Sequence, residues 1–114
     1  MVTAGIDLIE VKRFKPYCTP HGRTSRFVLR TFSSAELAYC FSFRDPALHL
    51  AGTFAAKEAV QKACGTFSTP LVSLEIRRTR TGKPEVWVRG KRSRRLSVSI
   101  SHTRDVACAV ALYQ

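Results

Sequence analysis

Three groups of side chains have types and spacings suited to chemistry. Asp7 stands inside the apolar run Gly5-Ile6-Asp7-Leu8-Ile9. A lone carboxylate buried in such a strand costs on the order of several kcal/mol. It therefore calls for a cation, either a metal ion or a basic side chain, unless the strand is an edge where the carboxylate meets solvent. Phe54, Glu58 and Lys62 follow at i, i+4 and i+8 and so share one stripe of a helix. A solvent-facing Glu-Lys pair contributes only about 0.3–0.5 kcal/mol. Gly52, Ala55, Ala56, Ala59 and Ala63 on the other sides support a second reading, a helix packed around much of its circumference with the pair lining a cleft. The third group runs from Ser97 through Ser99 and Ser101 to His102 and Thr103. Its hydroxyls and imidazole suit phosphate oxygens, and equally suit a polar outer face with a turn histidine. Gly82-Lys83-Pro84 adds a basic turn, a common feature of any basic chain. Hard cations that serve phosphates take one or two carboxylates, water and phosphate oxygens. Asp7, Glu58, Lys62, His102 and Lys83 compose such a site if the fold brings them together.

The elements that must position these groups are legible in outline. Residues 2–10 read as a strand with Asp7 the anomaly within it. A helix opening at Val11 to Phe14 is cut short by Pro16, Pro20 and Gly22. Ser33 followed three residues later by Glu36 is a capping-box pattern, which predicts a helix from Ser34 to about Phe43. Asp45-Pro46 signals the next helix start. From Ala47 to Cys64 the chain has no proline and is rich in helix formers, until Gly65 stops it. The period then changes to two. Val72, Leu74 and Ile76 alternate with polar residues, as do Val86 and Val88, with Thr81-Gly82-Lys83 as the turn between them. Leu96, Val98 and Ile100 form a third such run, and Val106, Cys108, Val110 and Leu112 a fourth, across a turn at 102–105 short enough for a hairpin. The expected class is α+β, an antiparallel sheet covered by helices, in a single domain spanning 1–114.

Composition bounds the partners. The 114 residues carry 19 Lys+Arg against 8 Asp+Glu, a formal charge of +11, with Arg outnumbering Lys 13 to 6. That balance predicts a polyanionic partner: nucleic acid, an anionic surface, a phosphate-rich ligand or an acidic protein. No apolar run approaches the roughly 18 residues that a membrane span needs. The first ten residues hold two acids and no basic start, unlike a signal peptide. Cys18, Cys40, Cys64 and Cys108 contain no CxxC spacing. They read as reduced thiols packed as small hydrophobes, which implies the cytoplasm.

The motifs match a family. Gly5-x-Asp7 with Arg13 resembles the N-terminal G-x-D-x-x-x-x-x-R motif of the holo-[acyl-carrier-protein] synthases, which are 4′-phosphopantetheinyl transferases. Phe54-Ala-Ala-Lys57-Glu58-Ala59-x-x-Lys62-Ala63 is similar to that family's F-A-A-K-E-A-x-x-K-A motif. Phe32-Ser-x-x-Glu36-x-x-Tyr39-Cys40, Gly82-Lys83-Pro84 and Ser99-x-Ser101-His102-Thr103 follow in family order, so the resemblance runs from about Ala4 to Leu112. It implies the phosphopantetheinyl transferase fold and transfer of phosphopantetheine from coenzyme A to a serine of apo acyl carrier protein, supporting fatty acid biosynthesis. It implies Mg2+ (or Mn2+, which likes the same oxygens) held by Asp7 and Glu58. It also implies Glu58 and Lys62 as catalytic groups, and coenzyme contacts from Phe54, Lys57, Lys83, Pro84, His102 and Thr103. A homotrimer with sites between subunits is implied as well. The acidic carrier protein then accounts for the positive charge, with Arg13, Arg23, Arg26 and Arg30 as its contacts and no nucleic acid or membrane required. Two departures stand out: Thr53 where the family usually has Arg, and Pro16 and Pro20 where relatives continue a helix. The other class of function is a small basic RNA-binding module without catalytic activity, resting on the Arg content, Trp87 and the stretch Lys91 to Arg95.

Overall fold

The computed structural model describes residues 1–65 and 69–114. Strand β1 (Thr3–Glu10) leads into a 3-10 helix at Val11–Cys18, which carries Pro16, and then into two short helices, α1 (Pro20–Arg23) and α2 (Arg26–Thr31). The expected interruption at Pro16 and Pro20 is therefore present, with Pro20 at the first helical position of α1. Helix α3 (Ser34–Phe41) opens on the complete capping box. Ser33 Oγ accepts from the Glu36 N–H at 3.2 Å, and Glu36 Oε1 accepts from the Ser33 N–H at 2.9 Å. It ends two residues earlier than the pattern suggested, where the Ser42 hydroxyl donates to the Tyr39 carbonyl at 2.6 Å. Helix α4 (Pro46–Cys64) spans 19 residues. Pro46 sits in its first turn, Asp45 caps it without a side-chain hydrogen bond, and Gly65 ends it in the left-handed region at φ 69°. No described helix is long and apolar enough to cross a membrane.

The remaining strands are β2 (Leu74–Arg78), β3 (Pro84–Val88), β4 (Lys91–Arg92), β5 (Leu96–His102) and β6 (Val106–Tyr113). All pairings are antiparallel, but they build two sheets rather than one. The larger has the order β1-β6-β5 and the smaller β2-β3-β4. The C-terminal strand thus lies between β5 and the N-terminal strand, a pairing that no local pattern announces. The stretch Leu71–Ser73 forms a 3-10 turn, so β2 begins two residues after Val72.

Helix α4 crosses the inner face of the larger sheet. Ala55, Ala56, Ala59 and Ala63 are buried, as are Ala107, Ala109 and Ala111 of β6. Small residues on both sides let the backbones approach closely. Gly5 marks the limit of that approach, since a Cβ there would sit 2.1 Å from the Ala59 carbonyl oxygen and 2.6 Å from the Ala63 nitrogen. The Thr3 hydroxyl donates to the Ala63 carbonyl at 2.6 Å and ties β1 to the end of the helix. Around the other side of α4, Phe54 joins Phe14 and Phe27 at centroid distances of 5.4 and 5.9 Å, completing an aromatic core.

Candidate active site

The close contact between β1 and α4 brings the first acidic pair together. β1 is an edge strand, and the register places Asp7 opposite Ala109, on the face that meets α4. Lys62, one turn beyond Glu58, donates to the Ile6 carbonyl at 2.9 Å and lies 3.2 Å from Asp7 Oδ1. The cation that Asp7 needs is therefore supplied by a side chain. The Asp7 side chain is 16 % exposed and that of Lys62 46 %, so the pair opens to solvent on one side. Glu58 is half-buried beside them. Burial pushes its carboxyl above the usual range and the charge of Asp7 pushes it further, against the opposing pull of Lys62 and Arg13. The Arg13 guanidinium hangs 5.8 Å from the Phe54 ring centroid. Asp7, Glu58, Lys62, Arg13 and Phe54 thus form one cluster, with Phe54 as its buried apolar flank rather than an open contact surface.

Lys57 does not belong to it. Its side chain is fully buried and ion-paired with Glu36, and its ammonium also donates to the carbonyls of Thr31 at 2.6 Å and Leu71 at 3.0 Å. All three donors are spent inside the core, so the implied coenzyme contact is corrected to a structural one. The physical reason is angular: one residue is about 100° of helix rotation, which separates Lys57 from Glu58 by more than a quarter turn. Burial pushes the Glu36 carboxyl up and the Lys57 ammonium down, while their mutual attraction opposes both shifts.

The other implied coenzyme residues lie elsewhere. His102 ends β5, and Thr103 follows it in the turn, where its hydroxyl oxygen accepts from the Asp105 and Val106 N–H groups at 3.3 and 3.2 Å. Lys83 is exposed in the β2–β3 turn, and Lys83 and Pro84 line a crevice with Ser97 and Val98 of β5. β1 and β5 are opposite edges of the larger sheet, two strand spacings or roughly 10 Å apart. Within one chain, α4 stands between the Asp7 cluster and His102.

Three residues beside His102, namely Phe43, His49 and Arg78, carried no sequence signal, and Tyr39 joins them from the Phe32–Cys40 motif. His49, on the opposite side of α4 from Glu58, stacks on Phe43 with centroids 3.6 Å apart and faces His102 at 6.1 Å. Tyr39 and Arg78 complete the group, with the Arg78 guanidinium 5.0 Å from the Tyr39 ring centroid. Thr53 points into the core, its hydroxyl 3.6 Å from Cys40 Sγ, so the contact expected of an Arg at that position is not made. Burial pushes the Cys40 thiol up to about 11, and all four cysteines are free.

The implied carrier contacts are spread over the 3-10 helix, α1 and α2. Arg13, Arg23, Arg26 and Arg30 are all exposed. Arg23 also lies over the Phe41 ring at 3.8 Å, and Leu29, 57 % exposed, stands between Arg26 and Arg30 on α2. Trp87, the aromatic of the RNA-binding reading, has Arg77 over its ring at 3.8 Å.

The profile of the 4′-phosphopantetheinyl transferase superfamily matches residues 3–111. The chain belongs to that superfamily. This transferase is 43% identical over 114 residues to the holo-[acyl-carrier-protein] synthase of Chlorobaculum tepidum, covering 96% of each chain. Among solved structures it resembles the holo-[acyl-carrier-protein] synthase of Helicobacter pylori in complex with coenzyme A, at a TM-score of 0.79 and 25% identity over 97% of this chain and 99% of that one. The Bacillus anthracis enzyme, also in complex with coenzyme A, gives 0.77 at 28% identity over 97% and 94%. The phosphopantetheinyl transferase fold expected from the motifs is therefore the fold of the chain, and the enzymatic reading displaces the RNA-binding one.

Proposed function

We propose that this transferase moves 4′-phosphopantetheine from coenzyme A to a serine of an acidic apo acyl carrier protein, releasing adenosine 3′,5′-bisphosphate. The observation that carries the reading is the cluster of Asp7, Glu58 and Lys62, clamped by the contact of β1 with α4 in a chain whose relatives bear that name. Two neighbouring carboxylates with an open side suit Mg2+, which takes one or two protein carboxylates and fills its shell with water and phosphate oxygens. Asp7 and Glu58 would hold the ion, and when bound it supplies charge neutralisation at the coenzyme's pyrophosphate. Glu58, ionised and made the stronger base by its burial beside Asp7, accepts the proton as the carrier's serine oxygen forms its bond to the β-phosphorus. The bond from that phosphorus to the bridging oxygen breaks, and the bisphosphate leaves with the electron pair. Lys62 stabilises the charge that builds on it.

The whole chain, 1–114, acts as one domain in a cytoplasmic homotrimer serving fatty acid biosynthesis. Ile6, Leu8, Val110 and Leu112 are 62, 69, 37 and 46 % exposed on the outer face of the larger sheet, an apolar surface that a second copy would cover. Because α4 separates Asp7 from His102, a site shared between copies unites them: Asp7, Glu58 and Lys62 from one, and His102, Thr103, Lys83 and Pro84 from the next. Arg13, Arg23, Arg26 and Arg30 attract the acidic carrier.

The test is incubation with coenzyme A, Mg2+ and an apo carrier protein, read by mass spectrometry. Gain of the phosphopantetheine group is expected, and no gain across several carriers overturns the proposal. Asp7→Asn and His102→Ala chains, each inactive alone, should regain activity when mixed and refolded together. Failure to do so would overturn the shared site.

A further inference from the structure

The positive charge is not spread evenly over the fold. From Leu74 to Arg95, which covers the smaller sheet, its turns and the residues after β4, the chain holds nine of its 19 cations and two of its 8 acids. That segment carries +7 of the net +11, and it contains none of Arg13, Arg23, Arg26 and Arg30. Seven of its nine cations are arginines, whose planar fork matches phosphate oxygens two at a time. All but Arg78 are exposed. The register sets Arg77 opposite Glu85 and places Trp87 between Glu75 and Arg92, on the face away from the buried Leu74, Ile76 and Val86. Arg80 and Lys83 extend this outer face at the β2–β3 turn, and Arg89 and Lys91 extend it at the other end of the five-residue strands, roughly 15 Å away.

Two independent features mark this face as a binding surface. Arg89 and Gly90 close the β3–β4 hairpin between the paired Val88 and Lys91, at φ 49° and 82°. Such a turn favours Asn or Gly, so an arginine there bears strain and sets a guanidinium at the tip. Among the described residues, the Trp87 indole N–H is the one buried side-chain donor without a partner, and it calls for an acceptor oxygen. Arg77 already covers the Trp87 ring at 3.8 Å. No large apolar side chain is exposed between Leu74 and Arg95, so a bilayer finds nothing to insert. Glu75 is held by Arg77 and the Ser33 hydroxyl, and Glu85 by Arg92 at 3.1 Å. An acidic protein meets these two with more carboxylates, whereas the ribose 2′-hydroxyl donates to their remaining lone pairs and deoxyribose has no such group. We propose that the outer face and hairpin ends of the smaller sheet dock single-stranded RNA along its phosphate backbone. This is a second activity, carried by a sheet that holds neither Asp7 nor Glu58, and it goes beyond the transferase reading.

The experiment follows an unpaired, labelled RNA of about 12 nucleotides by fluorescence anisotropy across a salt series, with coenzyme A saturating. Three phosphate contacts on a single strand contribute about −2 to the slope of log K against log salt. Arg89→Asn, Lys91→Gln and Arg94→Gln together remove three such contacts, and Asn relaxes the turn. Affinity should fall about 100-fold at about 0.1 M salt, with the slope flatter by about 2 and the two proteins converging near about 1 M. Trp87→Phe loses the N–H, keeps a ring, and should weaken binding several-fold without changing the slope. The RNA should bind several-fold more tightly than DNA of the same sequence. Transfer from coenzyme A to the carrier should be unchanged in the triple variant. No binding by the wild type at about 0.1 M salt, equal binding by the folded triple variant, or DNA bound as tightly as RNA would overturn the proposal. A raised KM for the carrier in the triple variant would give the surface to the carrier, and preference for anionic phospholipid vesicles over RNA would give it to a membrane; either result overturns RNA docking.

Discussion

Replacing Lys57 by Met removes an ammonium while nearly conserving volume, and its consequences separate a structural lysine from a ligand-binding one. The Lys57 ammonium donates to Glu36 and to the carbonyls of Thr31 and Leu71. Without it, Glu36 keeps its bonds from the Ser33 and Ile76 N–H groups, at 2.9 and 2.7 Å, but loses its countercharge in a buried setting. Removing one partner of a buried pair costs about 3–5 kcal/mol. That is a large share of a total near 5–15 kcal/mol. At about 4 °C per kcal/mol for a chain of this size, Tm should fall by roughly 12–20 °C. Burial already raises the Glu36 carboxyl, and losing Lys57 raises it further. A carboxylate whose folded value lies above its unfolded value of about 4.3 penalises the fold increasingly as pH rises past that unfolded value, and in full above the folded one. The deficit of Lys57→Met should therefore shrink as pH falls toward 4. Adding Glu36→Gln should recover part of the loss at pH 7, because the buried charge disappears. Circular dichroism melts of the wild type, both single variants and the double variant between pH 4 and 8 test this. A Lys57→Met chain with unchanged Tm and a raised KM for coenzyme A would refute the reasoning and return Lys57 to the coenzyme site.

Three further outcomes are expected. Gly5→Ala should cost about 1–3 kcal/mol in urea denaturation, because the new methyl meets backbone atoms of Ala59 and Ala63 that cannot swing aside, and an unchanged midpoint would contradict the close packing. Glu58→Gln should raise Tm at pH 7 in excess chelator and leave it unchanged near pH 4, since the ionised carboxylate is disfavoured by burial and by Asp7; a fall in Tm at pH 7 would reverse that assignment. Reversal of Arg26 and Arg30 to Glu should raise KM for the carrier and flatten its increase with salt, while KM for coenzyme A changes little. Equal damage to both substrates would show these arginines to be structural.

The sequence by itself determined what short-range physics controls. The Ser33–Glu36 capping box, the start of α4 at Pro46 and its stop at Gly65, and the alternation of residues 96–112 all depend on hydrogen bonds and backbone preferences within a few residues. The motif residues Asp7, Glu58 and Lys62 were likewise legible as candidates, but their spacing does not bring them together; the contact of β1 with α4 does. Tertiary structure decided the rest. Lys57 and Glu58 are neighbours in one motif, yet one neutralises Glu36 in the core and the other faces Asp7. Which side of α4 is buried depends on what packs there, and a charge survives burial only if distant segments supply its partners. The pairing of β1 with β6 and the division into two sheets are contacts between chain ends that no local signal encodes. His49 and His102, 53 positions apart, become neighbours because α4 crosses β5. Their chemistry arises from that crossing alone, since neither residue carries a periodicity or a cap that points to the other.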